Sequence, residues 1–138
     1  MAVDWGQRRI GIALSDESWT VASPHTVISR SGSLDRDLSA IVDISEGNDV
    51  VLIVFGLPIR LDGSTGPEAK GVLEVVEKLG HKTLIPLRTW DERLSSTAAQ
   101  KALIGGNVSR KKRRGLVDQV AAALILQSFL DSGAGEMK

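Results

Sequence analysis

Apolar residues near the start of the chain alternate in the manner of β-strands. Ile10, Ile12 and Leu14 occupy every second position, which places them on one face of an extended chain. The segments between the apolar runs are short and contain Gly, Gln, Ser or Pro, which favours an antiparallel meander. The sequence therefore predicts three consecutive strands: Met1 to Trp5, Arg9 to Ser15 and Thr26 to Ser31.

Beyond residue 33 the apolar spacing becomes helical. Leu34, Leu38 and Ile41 recur at three- and four-residue intervals behind Ser33, a typical N-cap residue. Pro67 stands where a first-turn helix proline would stand. Continuous apolar runs that suit strands covered on both faces separate the helices. The predicted order is helix from Ser33 to Gly47, strand from Val50 to Phe55, helix from Pro67 to Gly80, strand from Lys82 to Leu87, and helices from Leu94 to Leu103 and from Leu116 to Leu130.

This order of elements predicts an α/β fold. We expect a five-stranded mixed sheet, with three antiparallel strands followed by alternating helix and strand, flanked by helices on its faces. The 138 residues are enough for one domain with a sizeable core. We assign residues 1–132 to that single domain and residues 133–138 to a flexible tail.

Composition restricts the chemistry. The chain has no cysteine and only two histidines, far apart in sequence, which excludes thiolate catalysis and argues against zinc sites. A metal here would be a hard cation bound by oxygen. No apolar run approaches the roughly 20 residues that a membrane span needs, and no export signal is visible. We therefore expect a cytoplasmic protein that does not bind membranes.

One strongly basic segment interrupts a chain of balanced charge. Lys+Arg and Asp+Glu both number 17, yet Arg110, Lys111, Lys112, Arg113 and Arg114 follow one another without a break. Cations before a helix N-terminus are opposed by the helix dipole, so they do not stabilise the fold. Binding of a nucleic-acid backbone explains such a strip most simply. A solvated loop without a ligand remains the alternative.

Several acids occupy positions that are awkward for a carboxylate. Asp4 lies inside a short strand, where it must be paired, bound to a cation or near the strand end; the alternative is an Asp that starts a hairpin turn. Asp91 and Glu92 follow a strand, where α/β sheets present functional groups, although helix capping also explains them. Asp118 lies on a helix that is apolar almost all round, so a buried partner is required: a metal, or an arginine such as Arg93.

The aromatic residues indicate how a nucleic acid would be held. Three Trp, two Phe and no Tyr are too few for a stacking platform of the single-strand-binding kind. Recognition of backbone and shape fits better. Trp5 and Trp90 each adjoin a candidate acid, but successive strand residues face opposite sides, so we expect both to pack in the core.

Four ordered motifs resemble the YqgF family of bacterial Holliday junction resolvases and pre-16S ribosomal RNA nucleases. They are Val3-Asp4-Trp5-Gly6-Gln7-Arg8-Arg9-Ile10-Gly11-Ile12-Ala13, Gly56-Leu57-Pro58 with Asp62-Gly63-Ser64, Asp91-Glu92-Arg93-Leu94-Ser95, and Val117-Asp118-Gln119-Val120-Ala121-Ala122. The resemblance covers nearly the whole chain. It implies a ribonuclease H-like fold in which Asp4, Glu92 and Asp118 form a metal-binding catalytic set. Between the adjacent acids we favour Glu92 as the ligand and give Asp91 a supporting or capping role.

The resulting hypothesis is a nuclease that holds one or two Mg²⁺ or Mn²⁺ ions. Arg8, Arg9 and the strip from Arg110 to Arg114 would contact phosphate, and Gly6 would let the backbone approach the substrate closely. The three carboxylates should then lie within roughly 4 to 8 Å of one another. A catalytically silent binding module of the same fold stays open as an alternative, and a symmetric homodimer would suit junction cutting. An actin-like phosphotransferase would need a second domain.

Overall fold

The computed structural model describes residues 1–95 and 110–133, and within 110–119 it describes only the backbone of a helix. In these ranges five strands form one mixed sheet. Their spatial order is β3-β2-β1-β4-β5; the first three pair antiparallel, while β4 runs parallel to β1 and β5 parallel to β4. The predicted fold class is confirmed. The strands are β1 Ala2–Trp5, β2 Arg9–Ser15, β3 Ala22–Ser29, β4 Ile53–Leu57 and β5 Leu87–Asp91.

The helices of the described residues are α1 Leu34–Gly47, α2 Pro67–Gly80 and α3 Arg110–Asp131, together with a 3-10 turn over Glu92–Leu94. Helix α1 starts where the sequence predicts, because the Ser33 side chain accepts a hydrogen bond from the backbone N–H of Arg36. Helix α2 begins at Pro67, in the first turn, as expected. None of these helices is long and apolar enough to cross a membrane.

Two hydrophobic cores cover the two faces of the sheet. Helices α1 and α2 pack on one face, around Val3 and Phe55. Helix α3 packs on the other face, where Ala2, Val54 and Ile125 meet. The central strands are therefore buried on both sides, which accounts for the continuous apolar run of β4.

Both tryptophans that adjoin a candidate acid pack against these cores, as predicted. Trp5 lies against the core on the α1/α2 side and Trp90 against the core on the α3 side. The Trp90 ring meets Phe129 edge-on, with 5.3 Å between ring centroids, and its indole N–H donates to the Ser128 hydroxyl at 3.0 Å.

Three predicted strand boundaries were wrong. The third strand is Ala22–Ser29 rather than Thr26 to Ser31, and the fourth is Ile53–Leu57 rather than Val50 to Phe55. The fifth differs most, since it covers Leu87–Asp91 and not Lys82 to Leu87. Strand β5 lies at the edge of the sheet and is only half-buried, so its sequence has no continuous apolar run from which a strand could be predicted.

Two predicted helices also differ from the structure. The last helix begins at Arg110 and not at Leu116, because Lys and Arg are good helix formers and a single internal Gly is tolerated. The basic strip therefore forms the first turns of α3 instead of preceding it. Leu94 ends the 3-10 turn and Ser95 is extended, so no α-helix begins at Leu94. The rest of the predicted helix up to Leu103, and residues 134–138 of the predicted tail, lie outside the described residues.

Candidate metal site at the end of the sheet

Asp4 is a buried carboxylate on the α3 side of the sheet. Its neighbours along β1 define the side, because Ala2 packs in the core under α3 and Val3 in the opposite core. Asp4 pairs with Gly11 of β2, and only 7% of Asp4 is exposed. A carboxylate with so little access to water needs a strong compensating interaction.

Glu92 approaches the same face at Gly56 of β4. The register pairs Val3 with Phe55, so the next residues, Asp4 and Gly56, are neighbours across strands about 4.8 Å apart. A β-carbon added to Gly56 would lie 3.2 Å from the Glu92 Cγ. Asp4 and Glu92 therefore flank Gly56 on the face that α3 covers.

The 3-10 turn that contains Glu92 is fixed by its neighbours on both sides. Asp91 ends β5 and caps the turn, accepting a hydrogen bond from the backbone N–H of Arg93 at 2.9 Å. The Arg93 guanidinium also pairs with the Asp91 carboxylate at 2.7 Å. These hydrogen bonds from the Arg93 side chain hold the pKa of Asp91 below its ordinary value, although burial opposes them. Arg93, weighed from the sequence as a partner for Asp118, thus pairs with Asp91.

The hairpin after Asp4 presents the two arginines expected to contact phosphate. The N–H of Gly6 donates to the Arg9 carbonyl at 3.0 Å, and a β-carbon on Gly6 would lie 2.5 Å from that oxygen. The tight turn thus requires glycine for its own geometry. Arg8 is exposed at the tip of the hairpin, and Arg9 is half-buried at the start of β2.

Arg30 supports this hairpin and was missed at the sequence level. Its guanidinium lies 4.4 Å from the centroid of the Trp5 ring and donates to the Gly6 carbonyl at 3.1 Å. It also pairs at 2.7 Å with Asp37, whose side chain is 2% exposed. Burial alone would raise the pKa of Asp37, but the hydrogen bonds from Arg30 and Ser31 outweigh it and lower that pKa. An arginine just past a strand end gives no sequence signal for such a role.

The loop between β4 and α2 borders the Glu92 turn. The Asp62 carboxylate accepts hydrogen bonds from the hydroxyl and the backbone N–H of Ser64, at 2.6 and 2.9 Å. These hydrogen bonds keep the pKa of Asp62 below its ordinary value. Arg60, also missed from the sequence, packs its guanidinium against Gly66 ahead of α2, so closely that a β-carbon there would lie 2.7 Å from its Nε.

The remaining predicted site residues lie outside the described side chains. They are Asp118 and the basic strip Arg110, Lys111, Lys112, Arg113 and Arg114, for which only the helical backbone is described. Among the side chains of residues 1–95 and 120–133, no three acids or histidines form a group that could hold a metal. The structure brings two of the three predicted carboxylates to one face of the sheet and leaves the third as a prediction.

The donors present suit a hard divalent cation. Carboxylate oxygens are the ligands that Mg²⁺ and Mn²⁺ prefer, and Asp4 is buried enough to gain from a cation beside it. Asp91 pairs with Arg93, and Glu92, one residue later, turns its side chain to Gly56. The residues at this end of the sheet therefore fit a magnesium or manganese ion, provided that a further oxygen ligand joins them.

Comparison with known proteins identifies the family. The sequence model of RuvX, described as Holliday junction resolvase, matches residues 1–132. A protein of Desulforamulus reducens named "Putative pre-16S rRNA nuclease" is 41% identical over 135 residues, which covers 97% of each chain. A protein of the same name from Paracoccus denitrificans is 44% identical over 129 residues, covering 94% of this chain and 81% of that protein.

A solved structure shows the same fold. RuvC of Thermus thermophilus in complex with a Holliday junction substrate superimposes with a TM-score of 0.59, over 95% of this chain and 93% of that chain, at 13% identity. The fold likeness agrees with the family match over residues 1–132. The chain belongs to the RuvX family and is a nuclease.

Proposed function

We propose that this nuclease is metal-dependent and hydrolyses phosphodiester bonds in structured nucleic acid, with Asp4, Glu92 and Asp118 as its metal-binding set. The observation that supports the proposal most is the placement of Asp4 and Glu92 on either side of Gly56, on the face under α3. The fold thus brings together two acids that lie 88 positions apart along the chain.

Helical periodicity supports Asp118 as the third ligand. Ala121, Ala122 and Ile125 are among the residues of α3 that are buried against the sheet, and Ile125 lies over Gly56. Asp118 precedes them at the three-, four- and seven-residue intervals that define one helix face. The chain from Ile125 back to Asp118 rises about 10 Å along the helix, toward the end of the sheet where β1 and β4 end.

The ion would activate water as the nucleophile and stabilise the leaving oxygen at the scissile phosphate. The chain's own residues would hold it and align the substrate. Asp4 and Glu92 would fix it from β1 and from the turn after β5, with Asp91 and Gly6 in supporting roles. Arg8, exposed at its hairpin tip, and Arg9 beside it would neutralise backbone phosphates next to the cleaved bond.

The basic strip would bind the substrate backbone farther from the ion. Arg110, Lys111, Lys112, Arg113 and Arg114 form the first turns of α3, whose dipole attracts anions at the same end. Positive side chains and a helix N-terminus together favour a polyanion over a solvated surface. The strip therefore extends the contact beyond the acids and gives the enzyme affinity for long or structured nucleic acid.

The substrate we favour is the precursor of 16S ribosomal RNA. Relatives more than 40% identical over most of the chain are named for that substrate, which would place the protein in the cytoplasm. The description of the family model supports a second candidate, the Holliday junction. A four-way junction is two-fold symmetric, so its resolution would require a homodimer that presents two sites.

One experiment distinguishes these substrates from the silent-module alternative. The wild-type protein is incubated with a precursor 16S fragment and with a four-way DNA junction, in Mg²⁺, in Mn²⁺ and with EDTA. Asp4→Asn is the inactive variant, and Asp43→Asn, at an exposed position of α1, is the matched control. We expect cleavage that EDTA and Asp4→Asn abolish and Asp43→Asn leaves intact. Binding without any cleavage would favour the silent module and contradict the proposal.

A further inference from the structure

An arginine–aspartate pair encloses Glu92. Asp91 and Arg93 are the residues on either side of it, and their side chains meet through three contacts: Nε to the two carboxylate oxygens at 3.1 and 3.0 Å, and Nη2 to Oδ2 at 2.7 Å. The backbone N–H of Arg93 donates to the same carboxylate at 2.9 Å. The chain between the two partners contains only Glu92, so the pair fixes the backbone of that residue.

The other side of the turn is held independently. The Glu92 carbonyl accepts hydrogen bonds from the backbone N–H of Ser95 at 3.2 Å and from its hydroxyl at 3.0 Å. Arg93 and Ser95 therefore hold the Glu92 backbone from both directions. The side chain of Glu92 extends over Gly56, where there is no β-carbon to obstruct it.

The same guanidinium reaches the loop 58–66, which connects β4 to α2. Its Nη1 lies 3.5 Å from the Arg60 carbonyl, a long hydrogen bond, and 3.7 Å from the β-carbon position of Gly63. Gly63 has φ of 88°, a left-handed conformation that favours glycine. Arg93 thus links the loop that follows β4 to the turn that follows β5. These two strands are neighbours in the sheet, and Glu92 lies at their ends.

We propose that Arg93 is a positioning residue: by joining Asp91 to the loop 58–66, it holds the turn that directs Glu92 toward the metal. This inference rests on the proposed function, in which Glu92 is a metal ligand. The Arg93 side chain is 39% exposed, and an ion pair so exposed contributes little to the stability of the fold. The geometry of Glu92, rather than the stability of the fold, is what depends on this pair.

Arginine suits this position better than lysine would. The planar guanidinium contacts both carboxylate oxygens of Asp91 and still directs a third nitrogen to the loop. A lysine ammonium is a single point of charge and cannot make the same fork. Arg93→Lys should therefore keep more of the affinity for the metal than Arg93→Gln, but less than wild type.

The test measures Mn²⁺ binding by isothermal titration calorimetry on the whole chain. The proteins are wild type, Arg93→Gln, Arg93→Lys, Glu92→Gln and the double variant Arg93→Gln with Glu92→Gln, and the control is Arg36→Gln at an exposed position of α1. We expect Arg93→Gln to raise the Kd for Mn²⁺ about 10- to 100-fold, Arg93→Lys to give an intermediate Kd, and Arg36→Gln to have no effect. Circular dichroism melts should show Arg93→Gln folded, with a Tm close to that of wild type.

The double variant shows whether Arg93 acts through Glu92. If it does, adding Arg93→Gln to Glu92→Gln should raise the Kd no further. Wild-type affinity in Arg93→Gln, or losses that simply multiply in the double variant, would overturn the inference and leave the proposed function standing. A wild-type protein that binds no Mn²⁺ would overturn the proposed function itself, and this inference with it.

Discussion

Ile125 of α3 lies so close to Gly56 of β4 that a β-carbon on the glycine would overlap the Ile125 Cδ1 atom. The same β-carbon would crowd the Glu92 Cγ, at 3.2 Å. Gly56 thus lets α3 approach the sheet and leaves room for a candidate metal ligand. The absence of a side chain at Gly56 therefore affects both the packing of α3 on the sheet and the position of Glu92.

Gly56→Ala should destabilise the protein and weaken metal binding together. The added methyl group meets both Ile125 and Glu92, and overpacking of this kind costs about 1 to 3 kcal/mol. Chemical denaturation gives the free energy of unfolding, and Mn²⁺ titration gives the effect on Glu92. The matched control is Gly71→Ala in α2, where an added β-carbon has nothing within 4 Å.

Relief of the clash provides a second check. Ile125→Val removes the Cδ1 atom, so the double variant Gly56→Ala with Ile125→Val should be more stable than the sum of the single changes predicts. Strict additivity would show that α3 does not approach Gly56 as described.

Residues with a regular spacing or a defined cap were predictable from the sequence. The helix that Ser33 caps and the helix that Pro67 begins follow from local rules, which hold because they depend on neighbouring residues only. Strand β5 was misplaced because it lies at the sheet edge and lacks an apolar run. A short strand at an edge depends on its tertiary neighbours more than on its own residues.

The candidate site was predictable in part. A carboxylate inside a strand and another beyond a strand end drew attention to Asp4 and Glu92, and the resemblance grouped them. The structure places both on the face under α3, and their binding of a metal stays a prediction. Arg30 was missed because its partners come from distant parts of the chain: Trp5 and Gly6 before it, and Asp37 after it. The pairing of Arg93 with Asp91 depends on the 3-10 turn between them, and no sequence pattern predicts that turn.

Arg30→Met should destabilise the protein by about 1 to 3 kcal/mol at neutral pH. It leaves the carboxylate of Asp37, only 2% exposed, without its guanidinium partner. Thermal and chemical denaturation measure the loss. Because Arg30 also contacts the hairpin carbonyl of Gly6, cleavage activity should fall as well.

The cost of Arg30→Met should shrink as the pH falls. In the wild type the pKa of Asp37 is lowered, so the stability that the pair supplies is present above the ordinary Asp value of about 4 and is lost as the pH falls below it. In the variant, burial raises the pKa of Asp37, so protonation relieves the penalty. The two free energies of unfolding should therefore converge between about pH 6 and pH 3.

A double variant isolates the charge of Asp37. In Arg30→Met with Asp37→Asn this carboxylate is absent, so the relief on acidification seen in Arg30→Met should disappear. A constant gap between wild type and Arg30→Met across the pH range would contradict the account of this pair.

Neutralising the basic strip should reduce the salt dependence of nucleic-acid binding. Lys111→Gln with Lys112→Gln should lower the slope of log K against log salt by up to about 0.9 per lysine on duplex substrates, because fewer counterions are released. Fluorescence anisotropy between about 50 and 200 mM KCl measures the slope. The control is Lys70→Gln with Lys78→Gln on the exposed surface of α2, across the sheet from α3. If the two double variants give the same slope, the basic strip does not contact the nucleic acid.

The central claim is that Asp4, Glu92 and Asp118 share one divalent cation, and Mn²⁺ titration of three single variants tests it most directly. Asp4→Asn, Glu92→Gln and Asp118→Asn are each compared with wild type and with the surface variant Asp43→Asn. The account predicts one saturable site in wild type and in Asp43→Asn, with affinity weakened on the order of 100-fold or more in each of the other three. Wild-type affinity in Asp118→Asn, or in any one of the three, would show that these acids do not form a common site.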